Sequence, residues 1–535
     1  MELSRGLLYA RTVRHLRPSQ VWHRIRLRTQ RAVIRRFPER ARQLLEPPQP
    51  GKASWPSRFT PVDALLAWPT LEEVEAGQVT LLGDARSLGA PEDWRQSAAP
   101  QLWRYHLHYW DWAWGLVQAP DRQRAGTAYR RLFRSWSSES RLGDGDAWSA
   151  YVVALRAWSW CGQYDALVRG SDVDAQMVRL LGLHAGYLRA NLELDVGGNH
   201  LIKNLKAMIG LAVFLGDDQL RRRAMSRLQG EMARQVLPDG GHFERAPAYH
   251  CQVLGDLMDV QELLAESCPE WLSNAVERMR RWLGLVLLPD GTVPLLNDGY
   301  PVSSELLAAL EPGPVAPMGL TLLPDSGLAV LRQGSWHVLA DVGLPCPDDL
   351  PAHAHADTLG FLCYTGQRRL VGESGTSTYE AGPARAFERG TAAHSTVQID
   401  GEDSTEVWGA FRAARRARPT LVCASNTADA SVVSASHDGY ARLPGKPVHT
   451  RTWTLTDAWL RVVDEVTGEG VHDLVTRFHG VPGGVVRAAS GALVDCNTQS
   501  AKGWNERVDS VALEHAARVR LPWRFETEFV AAEST

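Results

Sequence analysis

The sequence predicts a chain of two blocks, an all-helical layered or toroidal domain followed by an antiparallel β-sandwich or stacked sheets. Three observations carry this. Between about residues 100 and 315 apolar residues recur at helical spacing, as in Val253, Leu257, Val260 and Leu264, and in Leu201, Leu205, Met208 and Ala212. Short loops containing Gly and Asp separate these stretches, with no strand-like run between them. After Pro324 the period falls to two, Trp336, Val338 and Ala340 alternating with polar or bulky residues.

Length and charge narrow the class. The chain has 535 residues, enough to bury sizeable cores without staples. Its 58 basic and 61 acidic residues give a formal charge of -3, so no global field points to nucleic acid. Nearly all the positive charge is arginine, lysine occurring at Lys52, Lys203, Lys206, Lys446 and Lys502. No apolar run approaches the ~18 residues of a membrane span. Arg11 and Arg14 interrupt any signal-peptide stretch, which predicts a cytoplasmic protein, with periplasmic delivery by an unrecognised route as the alternative. Seven cysteines, odd in number, dispersed and never in CxxC spacing, argue against a disulfide framework and a cysteine-rich zinc module.

In chain order, residues 1–98 read as a basic helical segment and linker. The first 42 residues hold twelve arginines against Glu2 and Glu39, interleaved with Leu7, Leu8, Val13, Leu16, Val21, Ile25, Leu27, Val33 and Ile34. Such a helix pair suits peripheral contact with an anionic membrane or a phosphate-rich partner. The plainer alternative packs it on its own protein with the arginines solvated. The Pro-rich segment 46–61 reads as the linker. Residues 99–318 form the helical domain, where Gly216 closes one helix. Residues 319–535 form the β domain. Gln333-Gly334 stands where a hairpin turn belongs, and further turns fall at Gly366-Gln367, Asp400-Gly401, Asp438-Gly439 and Pro482-Gly483-Gly484. Arg451, Trp453 and Leu455 share one face before Thr456-Asp457-Ala458, with Leu460 and Val462 beyond.

Four segments are dense in chemistry. The first, residues 102–112, with Trp148, Tyr151, Arg156 and Trp158, sets flat aromatic faces beside polar groups. Trp103, Tyr105, His106, Trp148, Tyr151 and Arg156 would suit a saccharide groove. The alternative is that these tryptophans fill gaps between helices. In the second, Gly197-Gly198-Asn199-His200, an amide and an imidazole lie at a positive helix start that suits a carboxylate, although such an Asn is often only an N-cap. The third, residues 239–250, is a turn entering a helix, so that Arg245, Tyr249 and His250 can share a rim or simply satisfy one another. The fourth is His353-Ala354-His355-Ala356-Asp357, with Glu373 and His394 downstream. His-x-His on an extended segment projects both imidazoles to one side, as zinc requires, or is a coincidental pair.

Together GNHLIKN (198–204), DGGHFERAPAYH (239–250), HAHADTLGF (353–361) and GTAAHSTVQIDGEDSTEVWGAFR (390–412) resemble the heparinase II/III superfamily of polysaccharide lyases over roughly residues 100–480. The resemblance implies an incomplete (α/α) toroid followed by an antiparallel β-sandwich domain, and β-elimination at a uronic acid of an acidic polysaccharide. Such an enzyme must neutralise the C5 carboxylate, abstract the C5 proton and protonate the leaving O4. By the matching motifs Asn199 and His200 would neutralise, and Tyr249 would be the base and also the acid of a syn elimination. His353 would face the site from the β domain, and Arg245 would help to bind the carboxylate. His355, Glu373 and His394 would hold a mainly structural zinc, although the family more often has Asp at the position of Glu373. The absence of a signal peptide points away from degradation of external glycans and towards bacterial surface-polysaccharide metabolism. Two rivals belong to other classes: a non-catalytic glycan-binding or assembly protein, and a metal-dependent glycan hydrolase using His353, His355 and Asp357.

Overall fold

In the computed structural model, which describes residues 2–47, 53–56, 62, 68–480, 486–488 and 492–530, helices give way to sheets at Gly319. Within the Pro-rich segment, 48–52 and 57–61 lie outside the described residues, as does the turn at Pro482-Gly483-Gly484. The chain opens with α1 (Glu2–Val13), α2 (Pro18–Arg36), α3 (Pro38–Leu45) and α4 (Leu71–Glu75). A hairpin of β1 (Gln78–Leu81) and β2 (Asp84–Ser87) follows, so this block is not helical throughout. Val79 and Leu81 face the helical core and Gln78 and Thr80 face water, a period of two too short to register in the sequence.

The helical domain comprises α5 (Gln101–Tyr109), α6 (Trp114–Gln118), α7 (Arg122–Glu139), α8 (Ala150–Leu167), α9 (Asp174–Asn191), α10 (Gly198–Leu215), α11 (Asp218–Gln235), α12 (Pro247–Leu264), α13 (Glu270–Val286) and α14 (Ser304–Ala309). Helix α10 is buried nearly all round and lies in the middle, with α8, α9, α11 and α12 packed on it. Its end is set by Gly216 at φ +71°, and α11 starts where the Asp217 carboxylate accepts from the Leu220 N–H. Tryptophans fill the spaces between helices. The Trp110 ring meets Trp94, Trp112, Tyr129, Trp136 and Trp160.

Among the described residues three larger antiparallel sheets and one two-residue pair follow. The first runs β3 (Gly319–Leu323), β4 (Leu328–Gln333), β5 (Trp336–Asp341), β6 (Phe361–Thr365) and β7 (Arg368–Val371) in sequence order. Then come α15 (Pro383–Arg389), β8 (Val397–Ile399) and the two-residue pair β9 (Val407–Trp408) and β10 (Arg412–Ala413). The remaining strands are β11 (Pro419–Asn426), β12 (Ser431–His437), β13 (Val448–Leu455), β14 (Trp459–Thr467), β15 (Val471–His479), β16 (Val486–Ala488), β17 (Val494–Gly503), β18 (Glu506–Arg520) and β19 (Trp523–Val530). They form a six-stranded sheet in the order β11-β12-β13-β14-β19-β16 and a four-stranded sheet in the order β17-β18-β15-β8.

Strand β5 is buried on both faces, where alternation predicted one apolar face. Trp336, Val338 and Ala340 pack with Phe361, Trp453 and Val462, whereas Leu339 packs with Trp282 and Val286 of α13. The first sheet is a middle layer, which is how the helical domain is fastened to the sheets. Among the described residues no helix is long and apolar enough to cross a membrane. All seven cysteines are free.

A buried ion pair ties the second sheet to the loops above it. Arg451 on β13 stands opposite Asp464 on β14, with Nε 2.7 Å from Oδ1 and Nη2 2.9 Å from Oδ2. Arg451 Nη1 also donates to the carbonyls of Leu359 (2.9 Å) and Ser395 (2.6 Å), which flank the histidine segments. Burial pushes Asp464 upward, but Arg451 and His449 beside it outweigh that and bring it to about 2. Its contribution is therefore complete above the ordinary aspartate value of ~3.9 and is lost as the pH falls through about 2. Arg451→Met, which leaves Asp464 buried without its countercharge, should cost roughly 3–5 kcal/mol in urea unfolding at neutral pH. A loss below about 1 kcal/mol would show that the pair holds nothing together.

Candidate active site

The site is built around Asp298, buried in the loop between α13 and α14. His353 Nδ1 stands 2.9 Å from its Oδ2, His355 Nε2 2.9 Å from its Oδ1, and the Arg385 guanidinium from α15 spans both oxygens. Burial pushes this carboxyl up, but Arg385 and the two imidazoles overcome it and hold Asp298 well below the usual range. An anionic Asp298 can only accept, so it fixes a proton on His353 Nδ1 and on His355 Nε2. Asn297 staples the same junction. Its side-chain carbonyl accepts from His355 N (2.9 Å), and its amide donates to the Arg245 carbonyl (2.9 Å).

Tyr249 lies in the first turn of α12, which Pro247 initiates. Its ring packs on His353 at 3.9 Å between centroids, and its hydroxyl is 2.6 Å from that of Tyr379. Burial, then the neighbouring Tyr379, Tyr300 and Asp298, push the phenol well above 10. The Arg385 guanidinium lies 4.9 Å from the Tyr379 ring centre. Trp504, at the tip of the β17–β18 hairpin, covers Tyr379 and Tyr300 at 4.8 and 5.4 Å.

The start of α10 joins this cluster through Glu244. Gly197 precedes the helix and Asn199 lies inside it, so Asn199 is not the N-cap. The anion this helix end attracts is the protein's own Glu244, whose Oε1 accepts from Asn199 N (2.7 Å) and whose Oε2 accepts from Asn199 Nδ2 (2.9 Å). Burial opposes ionisation of Glu244, but His353, with Nε2 3.4 Å away, and the Asn199 donors leave it below its ordinary value. Gly198 is obligatory here. Its φ is +56°, and a Cβ would meet Glu244 Oε1 at 2.0 Å and Leu350 Cδ2 at 2.5 Å.

His200, one residue on, keeps part of its ring exposed. Its Nδ1 faces Glu193 Oε1 at 3.2 Å, and Glu193 is fixed in turn by Asn204 (3.0 Å). Burial pulls this imidazole down, but Glu193 outweighs it and the net shift is upward. From His200 a row of rings continues through Tyr151 (4.3 Å), Tyr109 (6.0 Å) and His106 (4.7 Å).

Of the residues expected to bind a saccharide, Tyr105, His106 and Tyr151 are half-buried beside this row. Trp103, Trp148 and Arg156 are removed from a groove wall by burial. Trp103 Nε1 donates to the Asp84 carbonyl (2.9 Å) and Trp148 Nε1 to Ser140 Oγ (3.1 Å). Arg156 donates to the carbonyls of Ala147 (2.8 Å) and His108 (3.2 Å) with Trp136 at 4.5 Å, and burial pulls it to about 9. Arg245, expected to help bind a carboxylate, is committed to backbone. Its two Nη atoms are spent on the carbonyls of Ser326 (2.6 Å) and Asp325 (2.9 Å) in the β3–β4 turn, a cross-domain clamp. His250 is turned into the core against Trp282 and the Met279 carbonyl. A cleft of about 390 Å³ lies apart from Tyr249, between Arg95, Arg104, Arg141 and Asp146.

Below His353 the expected metal ligands converge. His355 Nδ1, Glu373 Oε1, His394 Nε2 and Asp357 Oδ1 are all buried with no hydrogen-bond partner among the described residues. Buried polar atoms are seldom left so, and two imidazoles with carboxylates are a zinc-type donor set. Burial pulls His355 to about 3, so its ring is neutral and the free Nδ1 lone pair is available. His394 Nδ1 is hydrogen-bonded to Glu373 Oε2, and in this arrangement no three His, Cys, Asp or Glu side chains of the described residues stand in coordinating geometry. The residues fit the group in identity and unmet valence; the distances are those of a hydrogen-bonded cluster.

Sequence reasoning missed Glu193, Asp298, Tyr379, Arg385 and Trp504. It quoted Glu244 inside a motif without giving it a task. Asn297-Asp298-Gly299 reads as a plain turn, and Tyr379, Arg385 and Trp504 lie in segments whose local pattern carries no chemistry.

Comparison with known proteins matches the heparinase II/III N-terminus model to residues 91–311 and the heparinase II/III-like, C-terminal model to residues 316–529. FtsZ-localized protein C of Caulobacter vibrioides is 28% identical over 418 residues, 74% of this chain and 69% of that protein. The heparin-sulfate lyase of Pedobacter heparinus is 23% identical over 346 residues, 56% of this chain, which spans about half (52%) of that enzyme. The crystal structure of a heparinase III superposes with a TM-score of 0.72 at 14% identity, covering 91% of this chain and 88% of that one. At that identity the likeness shows the fold, an α/α toroid carrying a β-sandwich domain.

The Glu193–His200 pair gives a direct test. Stability from this cation is complete below the ordinary histidine value of ~6.5 and is lost as the pH rises through the raised folded value. In a nitrogen-detected NMR titration His200 should titrate above ~6.5 in the parent and at a lower pH in Glu193→Gln, where burial is opposed only by Glu244 and Asp195. An unchanged midpoint would mean that Glu193 does not hold the proton on His200.

Proposed function

The chain belongs to the heparinase II/III-like family of polysaccharide lyases, and on that premise we propose that it cleaves a uronic-acid-containing polysaccharide by β-elimination at the Tyr249–His200 site, in bacterial surface-polysaccharide metabolism. The observation that carries this is Tyr249 itself. Its ring packs on His353 and its hydroxyl bonds that of Tyr379, while His353 also faces Glu244, which holds the helix start that carries the partly exposed His200 imidazole, biased by Glu193 towards the cation.

The C5 proton of a uronate is acidic only once the adjacent carboxylate is neutralised. His200 supplies that charge. Asn199, with its amide given to Glu244, holds the helix start in place and offers at most its second amide hydrogen to the sugar. Tyr249 exchanges the protons. A phenol pushed so high gives a strongly basic phenolate; its resting proton passes to the half-buried Tyr379 as that hydroxyl releases its own to water, so the phenolate enters the cycle and is restored at its end. The Tyr249 oxygen takes the C5 proton, the C5–H electrons become the C4–C5 double bond, and the C4–O4 bond breaks. O4 then takes the proton from the same oxygen, a syn elimination that leaves the enzyme unchanged. His353, locked by Asp298, keeps the Tyr249 ring in position. Tyr105, His106 and Tyr151 supply stacking faces for the sugar chain.

Zinc, held by His355, Glu373 and His394, would supply charge that satisfies the four unpartnered atoms and would fix the β-domain loops beneath His353. The hydrolase alternative finds no support in the geometry, because His353 and His355 both turn to Asp298 instead of to a shared ligand position. One observation favours a non-catalytic assembly role: the relative that matches 74% of this chain is named for localisation with FtsZ, not for a lyase.

Ultraviolet absorbance separates these readings, because only elimination leaves a double bond conjugated with the carboxylate. With a panel of heparan, alginate, hyaluronan and bacterial exopolysaccharides, absorbance should rise with the parent protein and fall by about 10²–10⁴-fold with Tyr249→Phe. A rise that survives the substitution removes Tyr249 from the mechanism; glycan binding without any rise supports the assembly role.

For the metal, elemental analysis of the purified protein should find zinc near one equivalent. Chelation should lower the unfolding midpoint by roughly 5 °C or more, while kcat falls less than about tenfold. A collapse of kcat at unchanged midpoint would move zinc from the framework to the reaction.

A further inference from the structure

Helix α2 is amphipathic with its faces exchanged. Its inward side carries polar groups joined to the body of the protein around buried Leu27 and Ile34. Gln20 Nε2 donates to the Asp349 carbonyl (3.1 Å) and Gln30 Nε2 to the Ala190 carbonyl (2.9 Å), while Arg24 pairs with Asp195 (3.6 Å). Arg17, just before the helix, pairs with Asp349 at 2.8 Å. The outward side carries Val21, Trp22, Ile25, Ala32 and Val33, all exposed, at the three- and four-residue spacing of one helix face. Trp22 is 63% exposed, Ile25 58% and Val33 53%. A lone exposed apolar residue needs no explanation, but a stripe some 15–20 Å long on one helix does.

Charge identifies what covers it. Exposed Arg28 and Arg36 lie on the same face as the stripe, and Arg14, Arg35 and Arg40 are exposed on the same arm. The first 42 residues carry a formal +10, from twelve arginines and two glutamates, in a chain whose total is -3. An indole and aliphatic groups bordered by guanidinium groups match the boundary between headgroups and acyl chains of an anionic bilayer. The more acidic remainder of the chain would be repelled by the same surface, so contact would be confined to the arm.

We propose that the outward face of α2 docks on an anionic lipid bilayer as a peripheral contact. This does not rest on the lyase reading. It also sets an orientation, because α2 is fastened at Asp195, two residues from Glu193, and at Asp349, beside the Leu350 that touches Gly198. Helix α1 grips the β domain through Arg11–Glu406 (3.0 Å) and the Tyr9–Trp408 rings (4.6 Å). The arm spans both domains at the rim of the site, so a docked molecule would hold that rim next to the membrane.

Sedimentation of the full chain with vesicles tests this. Wild type should pellet with vesicles of equal parts phosphatidylglycerol and phosphatidylcholine and remain in solution with phosphatidylcholine alone. Arg28→Gln/Arg36→Gln should weaken partitioning on the order of 30-fold at low salt, and Trp22→Ser/Ile25→Ser should abolish it. All four side chains are exposed, so thermal unfolding midpoints should not move, which separates loss of docking from loss of fold. Failure of wild type to pellet with anionic vesicles overturns the proposal, as does pelleting unaffected by both double substitutions. A wild-type dimer that Trp22→Ser/Ile25→Ser makes monomeric overturns it in favour of a second copy of the chain.

Discussion

One buried carboxylate organises the site. Asp298 comes from the loop that ends the helical domain, whereas its three partners, His353, His355 and Arg385, come from the β domain. An anion so placed is tolerable only when its charge is met on all sides, and removing any partner leaves an uncompensated charge in a dry interior. The two domains therefore cannot slide independently without breaking this cluster. The Arg245 clamp on the β3–β4 turn and the packing of Trp282 and Val286 on the first sheet act in the same direction.

Two further carboxylates give neighbouring residues of α10 opposite properties. Glu244 accepts from the Asn199 backbone N–H and from one hydrogen of its amide, and fills the positive end of the helix. Glu193 meets only one nitrogen of His200, leaves the ring partly exposed and shifts it towards the cation. Gly198 is the hinge of this arrangement, since only a residue without Cβ lets Glu244 come so close to the first turn.

Much of the fold was legible because burial imposes period. Val253, Leu257, Val260 and Leu264 line one side of α12, and Arg451, Trp453 and Leu455 one side of β13, as their spacing implies. Strand β5 misled because its second face meets a helix that local sequence does not reveal. The same limit governs the site. His353, His355, Tyr249 and His200 stood out because such residue types cluster in short segments. Trp103, Trp148 and Arg156 stood out equally, yet they lie in the core, because whether a helix face looks into a groove or at another helix depends on partners far away in the chain.

By itself, the sequence determined the succession of helical and β blocks, the family, and which short segments carry the polar and aromatic groups. These follow from local periodicity and from residue types at close spacing, both of which survive in one dimension. Only the tertiary structure decided that Asp298 joins the histidines to Arg385, that Tyr379 meets Tyr249 under Trp504, that Glu244 occupies the helix end, and that Arg245 binds backbone carbonyls. Each of these relations joins segments dozens to hundreds of residues apart. The reason is electrostatic and steric: a buried charge or hydroxyl is defined by what surrounds it, and folding alone chooses those surroundings.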